Sequence, residues 1–209
     1  MFTPTHRIVD SLVPVLELPL VSLAVPLDLS DRSVLQAHID RSRKASPSGM
    51  VWGGYLEQRN IYSTSSNFQV EGMERDIHLG IDIWADAGTV VYAPLAGRVH
   101  SFQDNAGFSN YGPTIVLEHS AEEGSFFTLY GHLSQGSLQG LEVGMAFPGG
   151  AELCRLGAWE ENGDWPPHLH FQLITDMGEW WGDFPGASTA ADLDRYRILC
   201  PDPATLLVV

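Results

Sequence analysis

Arg75-Asp76-Ile77-His78-Leu79-Gly80-Ile81-Asp82-Ile83-Trp84 is the stretch on which the fold turns. Ile81, Ile83 and Trp84 favour an extended chain, and the side chains of a strand alternate between its two faces. Leu79, Ile81 and Ile83 therefore share one face and read as core. His78, Gly80 and Asp82 share the other, an imidazole and a carboxylate separated by a glycine that leaves room beside them. Both groups are ligands for Zn²⁺. An H-x-x-x-D spacing is equally met by a plain His–Asp hydrogen bond, so the metal assignment depends on further ligands downstream.

They occur in two places. In Pro167-His168-Leu169-His170-Phe171-Gln172-Leu173, alternation puts His168, His170 and Gln172 on one face and the apolar residues in the core. Tyr130-Gly131-His132-Leu133 presents another histidine at a strand end, where functional groups often sit. His78, Asp82 and one histidine of the H-x-H pair then give three protein ligands and leave one coordination position open for water. The spare histidines are free to move a proton or to stabilise charge at an attacked carbonyl.

The surrounding chain is β-rich. Thr89–Pro94 reads as a strand entering a turn with Gly97–Phe102 as its return; Thr114–His119 and Ser125–Tyr130 follow, separated by a turn at 120–124. With 21 glycines and 13 prolines punctuating short strands, the expectation is a mainly β protein with an antiparallel sandwich or barrel-like core. Three regions are expected. Residues 1–50 form an extended arm and a short helix, with Ser30 capping a helix from Asp31 to about Lys44 whose apolar stripe is Val34, Leu35, His38 and Ile39. Residues 51–178 are expected to form the β-rich domain that carries the candidate zinc ligands. Residues 179–209 hold an aromatic loop around Trp180 and Trp181, expected to cover a sheet edge, and a short helix over 190–196 capped by Ser188 or Thr189.

A formal charge of −15, from 26 acids and 11 bases, disfavours binding to nucleic acid or to anionic membrane, which relies on Lys and Arg. Acids and prolines interrupt residues 8–29, so no signal peptide is recognisable and a cytoplasmic location is the expectation. The apolar, Pro-rich arm would suit docking on a neighbouring domain. Cys154 and Cys200 form no C-x-x-C knuckle and are expected to be reduced structural thiols. His38, His100 and His119 are expected to make ordinary packing and hydrogen-bond contacts.

The ordered set of motifs resembles the lysostaphin-type zinc metallopeptidases, a family of peptidoglycan endopeptidases. His78-Leu79-Gly80-Ile81-Asp82-Ile83, Ala93-Pro94 to Gly97-Arg98-Val99, Tyr111-Gly112, Tyr130-Gly131-His132-Leu133 and His168-Leu169-His170 carry the resemblance, over about residues 70 to 175. It implies that His78, Asp82 and His170 bind Zn²⁺, that His132 and His168 are the catalytic pair, and that an antiparallel sheet holds a groove over the metal. The implied activity is zinc-dependent hydrolysis of a peptide or muropeptide substrate by activated water. A catalytically silent binding module, or one domain of a larger intracellular enzyme acting on another amide, is the alternative. Cys154 stands where such proteins commonly have glycine. The 158–167 loop, with Trp159, Trp165, Glu160 and Glu161, departs from the short small-residue loop usual there. It is expected to narrow the groove, with Tyr111, Trp159 and Trp165 contacting substrate and a glutamate facing a cationic group.

Overall fold

Asp82 lies near the middle of an eight-stranded sheet ordered Leu16–Glu17, Val51–Gly53, Ile81–Trp84, His168–Ile174, Gly124–Gly131, Gly112–Ala121, Gly97–Asn105 and Ala146–Phe147. Every pairing is antiparallel except the first, where Leu16 aligns with Val51. The computed structural model describes residues 8–9, 16–17, 31–122 and 124–207. Most of the expected arm, and Ser30, lie outside the described residues. Within them, Ile8 and Val9 pack into the main core, and Val9 bridges Val91.

The mainly β antiparallel fold with an N-terminal helix is as expected, and the apolar alternation explains it. Ile81, Ile83, Ile115, Leu117, Leu169 and Phe171 all point into one fully enclosed cluster, whose burial is the dominant favourable term in folding. Cys154 belongs to this cluster, while Cys200 lies in another with Leu79 and Val116. Both thiols are free and buried, and burial pushes Cys200 up to about 12.

One strand pairing departs from the expectation. Val90–Tyr92 and Gly97–Asn105 do not form a hairpin. Val90–Tyr92 pairs with Glu152–Arg155, and Gly97–Asn105 joins the large sheet beside Gly112–Ala121. Ala93 still exchanges backbone bonds with Gly150 and Ala151; Pro94 has no N–H to prolong the ladder, and the chain crosses to the other sheet.

The helix spans Arg32–Ala45 and is capped by Asp31, whose carboxylate accepts from Ser33 N at 2.8 Å and Val34 N at 3.3 Å. That satisfies two of the free first-turn donors. Leu35 and Ile39 pack with Val51, Ile61, Tyr62, Trp84 and Ala187, so the helix shares a core cluster with the sheet. The second helix is Leu193–Leu199, three residues beyond the expected position. Thr189 Oγ1 does accept from Asp192 N, at 3.1 Å. None of the described helices is long and apolar enough to cross a membrane.

The aromatic loop lies against the Gly97–Asn105 strand: Trp180 and Trp181 are 46% and 55% exposed, with Trp181 beside His100 and Trp180 beside Phe184. Phe184 is the buried residue. The backbone of Gly182 fixes the loop, donating to Ser101 Oγ and accepting from Asn105 Nδ2.

Candidate metal centre

The stretch 75–84 changes partner in its middle. Ile77–His78 pairs with Ala187–Ser188, Leu79 N donates to Gly186 O at 2.9 Å, and Ile81–Trp84 enters the large sheet. His78 and Asp82 thus come together from two sheets and not along one strand. In the large sheet Asp82 lies opposite His170 on one side and Gly53 on the other, so the register itself brings carboxylate and imidazole together. The room beside Gly80 is taken by a ligand: a Cβ there would sit 2.7 Å from His170 Cε1 and 2.7 Å from Phe171 O.

Three electron-pair donors converge. His78 Nδ1 lies 2.9 Å from Gly54 O, to which it donates, leaving the Nε2 lone pair facing inward. Gly54 has φ +102, and a Cβ there would fall 1.9 Å from the Arg59 guanidinium, so the turn requires glycine. His170 Nε2 donates to Gln172 Oε1 at 2.9 Å, which leaves Nδ1 facing His78 Nε2, also at 2.9 Å. Gln172 is oriented by its own donation to Pro185 O. Asp82 Oδ1 lies 3.4 Å from His78 Nε2 and 3.3 Å from His170 Nδ1. It is buried and receives no hydrogen bond. Two lone pairs and an unsatisfied anionic oxygen facing one another are costly without a cation between them. His78, Asp82 and His170, all buried, offer ligand atoms within 4.8 Å of one another. Their N₂O donor set fits a divalent transition metal with an open position, and the far atom of each is held by protein, as ligand orientation requires.

Electrostatics match this arrangement. Burial opposes the Asp82 carboxylate, but His78 and the Arg59 guanidinium outweigh it and hold the carboxyl well below its usual range. His78 is held well below the ordinary imidazole value, first by burial and then by Arg59. Both effects favour the unprotonated, metal-ready state.

The remaining two histidines face the same space. His132 Nδ1 donates to Asn162 O at 2.8 Å and His168 Nδ1 to Pro166 O at 2.7 Å, so both expose Nε2. Their ring centroids are 4.2 Å apart. Burial, then the neighbouring imidazoles, keeps His132 well below its ordinary value, and burial lowers His168. His132 occupies φ +63, a conformation rare outside glycine. Its N–H bond to Tyr111 O and the Gly157 N–H bond to its own carbonyl hold it there.

The 158–167 loop therefore orients the histidine pair from behind. Asn162, fully buried, braces it through Trp165 N and Trp165 O. Tyr111 and Trp165 line the cleft; Trp159 does not, and stands against Arg32 at 5.0 Å. Nor does Glu161 face the cleft. Its two oxygens accept from the backbone N–H groups of Ala158 and Gln135, which use it as a brace. His100 and His119 make ordinary contacts, with Ser101 Oγ and with Ala96 O and Thr128 Oγ1.

Sequence reasoning missed Arg59, Gly54, Asn162, Pro166 and the 183–187 segment. Arg59 carried no local signal, lying outside any strand alternation. The others act through backbone carbonyls or through chain placement, which residue type does not reveal.

Such a site, an H-x-x-x-D and H-x-H metal triad beside two inward imidazoles on an antiparallel sheet, is of the metallopeptidase class. Residues 76–180 match Peptidase family M23, half of the chain, and the protein belongs to that family with its His78/Asp82/His170 site intact. Among solved structures, it is similar to the catalytic domain of the antimicrobial peptidase lysostaphin from Staphylococcus simulans, at 21% identity. That match covers 70% of this chain and 91% of the other, with TM-score 0.45. A zinc-containing peptidase from Vibrio cholerae matches at 26% identity, over 47% of this chain and 27% of that one, TM-score 0.38. Csd3 of Helicobacter pylori matches at 22%, over 60% and 32%, TM-score 0.36. The chain thus spans about a third or less of the length of the latter two. No curated protein matches the chain.

Proposed function

We propose that this chain is a zinc-dependent peptidase that hydrolyses a peptide bond with water. The observation carrying the proposal is the buried, unsatisfied Asp82 Oδ1 facing the lone pairs of His78 Nε2 and His170 Nδ1. Bound there, zinc would supply Lewis-acid polarisation of the scissile carbonyl and acidification of a water molecule.

The protein's own groups would do the rest. His132 and His168, kept neutral by burial, each present a basic Nε2 to the cleft. One accepts the proton lost as the water oxygen bonds to the carbonyl carbon, and that proton passes to the departing amine nitrogen as the C–N bond breaks. Burial, then Asp183, holds the Tyr111 phenol well above its usual value, so it stays protonated as a donor to the oxygen on which charge develops. Aromatic walls from Tyr111 and Trp165 supply apolar contact. Hydrolysis is favoured over a silent binding role because all five site side chains are present and turned to one space. The family resemblance brings muropeptides, alongside other small peptides, into the substrate class.

Metal analysis tests the assignment. The purified chain should hold one zinc, and His78→Ala should hold none. Undiminished zinc in that variant would overturn it.

A further inference from the structure

The metal centre forms the floor of a well whose walls rise largely from outside the stretch that matches the family. Leu35, Tyr62, Phe68 and Arg75 precede residue 76, and Asp183 to Ala187 follow residue 180; all of them line the well.

One side of the rim is stitched closed. Asn67 Nδ2 donates to Phe108 O at 2.9 Å, and Ser109 N donates to Gly163 O at 2.8 Å. Arg32 of the first helix pairs with Asp164 while its guanidinium lies over the rings of Phe108 and Trp159. Those contacts join, in succession, the 60–68 segment, the 105–111 loop, the 158–167 loop and the helix. The tail wall is equally fixed: Ala187–Ser188 is paired as a strand, and Gln172 holds Pro185. An extended polymer crossing a metal needs a groove that continues on both sides. The stitched side offers none.

Asn67 and Trp180 are the exposed lining residues and mark the mouth; Arg75, bonded to Asn67, and Asp183, three residues after Trp180, stand half-buried beside them. Two of them carry opposite charge. Arg75 donates through Nη2 to Asn67 O, while its buried Nε has no partner. Asp183 accepts from Phe184 N through Oδ1 alone. Among the described residues the two form no ion pair with each other, so each keeps bonding capacity for something that enters.

We propose that the well takes a short peptide, or a peptide-like amide of similar size, end-on, with the free terminus left at the mouth met by Arg75 where it is a carboxylate and by Asp183 where it is an amine. This rests on the hydrolytic assignment above. It excludes internal bonds of a long or cross-linked polymer as the preferred substrate.

Binding, read by NMR shift perturbation of the zinc-loaded full chain, tests it. The probes are triglycine and trialanine with free ends, the same peptides N-acetylated and C-amidated, a long glycine-rich polypeptide, and peptidoglycan sacculi in a sedimentation assay. Free tripeptides should bind, and the doubly blocked forms about tenfold more weakly, the loss expected for one charge-assisted hydrogen bond. Arg75→Gln should reduce the preference for a free carboxylate and Asp183→Asn that for a free amine. Equal binding of free and blocked tripeptides, no binding of either, or tighter binding of the polypeptide or sacculi would overturn the proposal. Failure here is distinct from failure of the hydrolytic assignment, which is read from zinc content: a zinc-replete chain that prefers polymer loses only the well.

Discussion

Arg59 Nη1 donates to Asp82 Oδ2 at 2.6 Å, with both side chains buried. That contact decides which carboxylate oxygen faces the imidazoles, because it occupies one oxygen and leaves Oδ1 as the inward ligand atom. The same guanidinium bonds Glu57 Oε2 through Nε and the Tyr62 hydroxyl through Nη1. It thereby anchors the 57–62 segment, which walls the cleft, to the metal floor.

Arg59→Met should therefore damage both stability and metal binding. Removing one partner of a buried pair typically costs about 3–5 kcal/mol. Loss of an outer-shell partner weakens metal affinity roughly 10–100-fold. Without Arg59, burial is less opposed and the Asp82 carboxyl is more readily protonated, which acts in the same direction. Urea unfolding in chelator isolates the stability effect, and zinc titration the affinity effect. Zinc affinity unchanged in the variant would show that Arg59 serves folding alone.

Gly80→Ala is the complementary change on the other ligand. The added methyl would meet the His170 ring and the Phe171 carbonyl oxygen, and the backbone atom cannot yield. Overpacking of this kind costs about 1–3 kcal/mol, and the displaced ring should bind zinc more weakly. Gly136→Ala is the control, since its nearest contact is 4.0 Å away and its backbone is unstrained. If Gly80→Ala matches the control in unfolding and in zinc titration, His170 has freedom that its packing denies.

Much of this was legible in the sequence. Alternation alone separated His168 and His170 from Leu169 and Phe171, because a strand buried on both faces still assigns its polar groups to one of them. The helix stripe of Leu35, His38 and Ile39 was visible for the same kind of reason. What escaped was non-local. Val90–Tyr92 pairs with a strand some sixty residues later, and no local pattern encodes that choice. Alternation alone makes His78 and Asp82 neighbours on one strand, whereas the exchange of partners at Leu79–Gly80 brings them together. The 158–167 loop stands out in sequence by its tryptophans and glutamates, yet its contribution to the site comes through the carbonyls of Asn162 and Pro166, groups every residue carries.

His132→Ala and His168→Ala should separate binding from chemistry. Neither residue belongs to the inward triad, so zinc should stay near one per chain in both variants. Hydrolysis should fall by about 10²–10⁴, the usual contribution of a general acid or base. Metal analysis and peptide hydrolysis on the same preparations provide the check. Should His168→Ala lose zinc while His170→Ala keeps it, the roles of the H-x-H pair are exchanged.

His119 allows a pH prediction away from the metal. It is buried, donates from Nδ1 to Ala96 O at 2.9 Å, and meets Thr128 Oγ1 with Nε2 at 2.7 Å. Burial lowers its pKa, outweighing the Ala96 bond and the charge of Glu118. In the unfolded chain the ring titrates near the ordinary value, roughly 6.5. Above that pH both states are neutral and His119 adds no pH dependence. Below it the unfolded state takes up a proton that the folded state resists, so stability falls with decreasing pH. The slope is at most about 1.4 kcal/mol per pH unit, ending where the folded ring also protonates. His119→Asn removes the titration while keeping a side-chain donor near Ala96 O. Urea unfolding from pH 7.5 down to 5, run on both proteins, cancels the site histidines common to them. The wild-type curve should drop below about pH 6.5 relative to the variant. Parallel curves would mean that the folded protein accommodates a charged His119 at no cost, and that burial at this strand end is looser than the packing indicates.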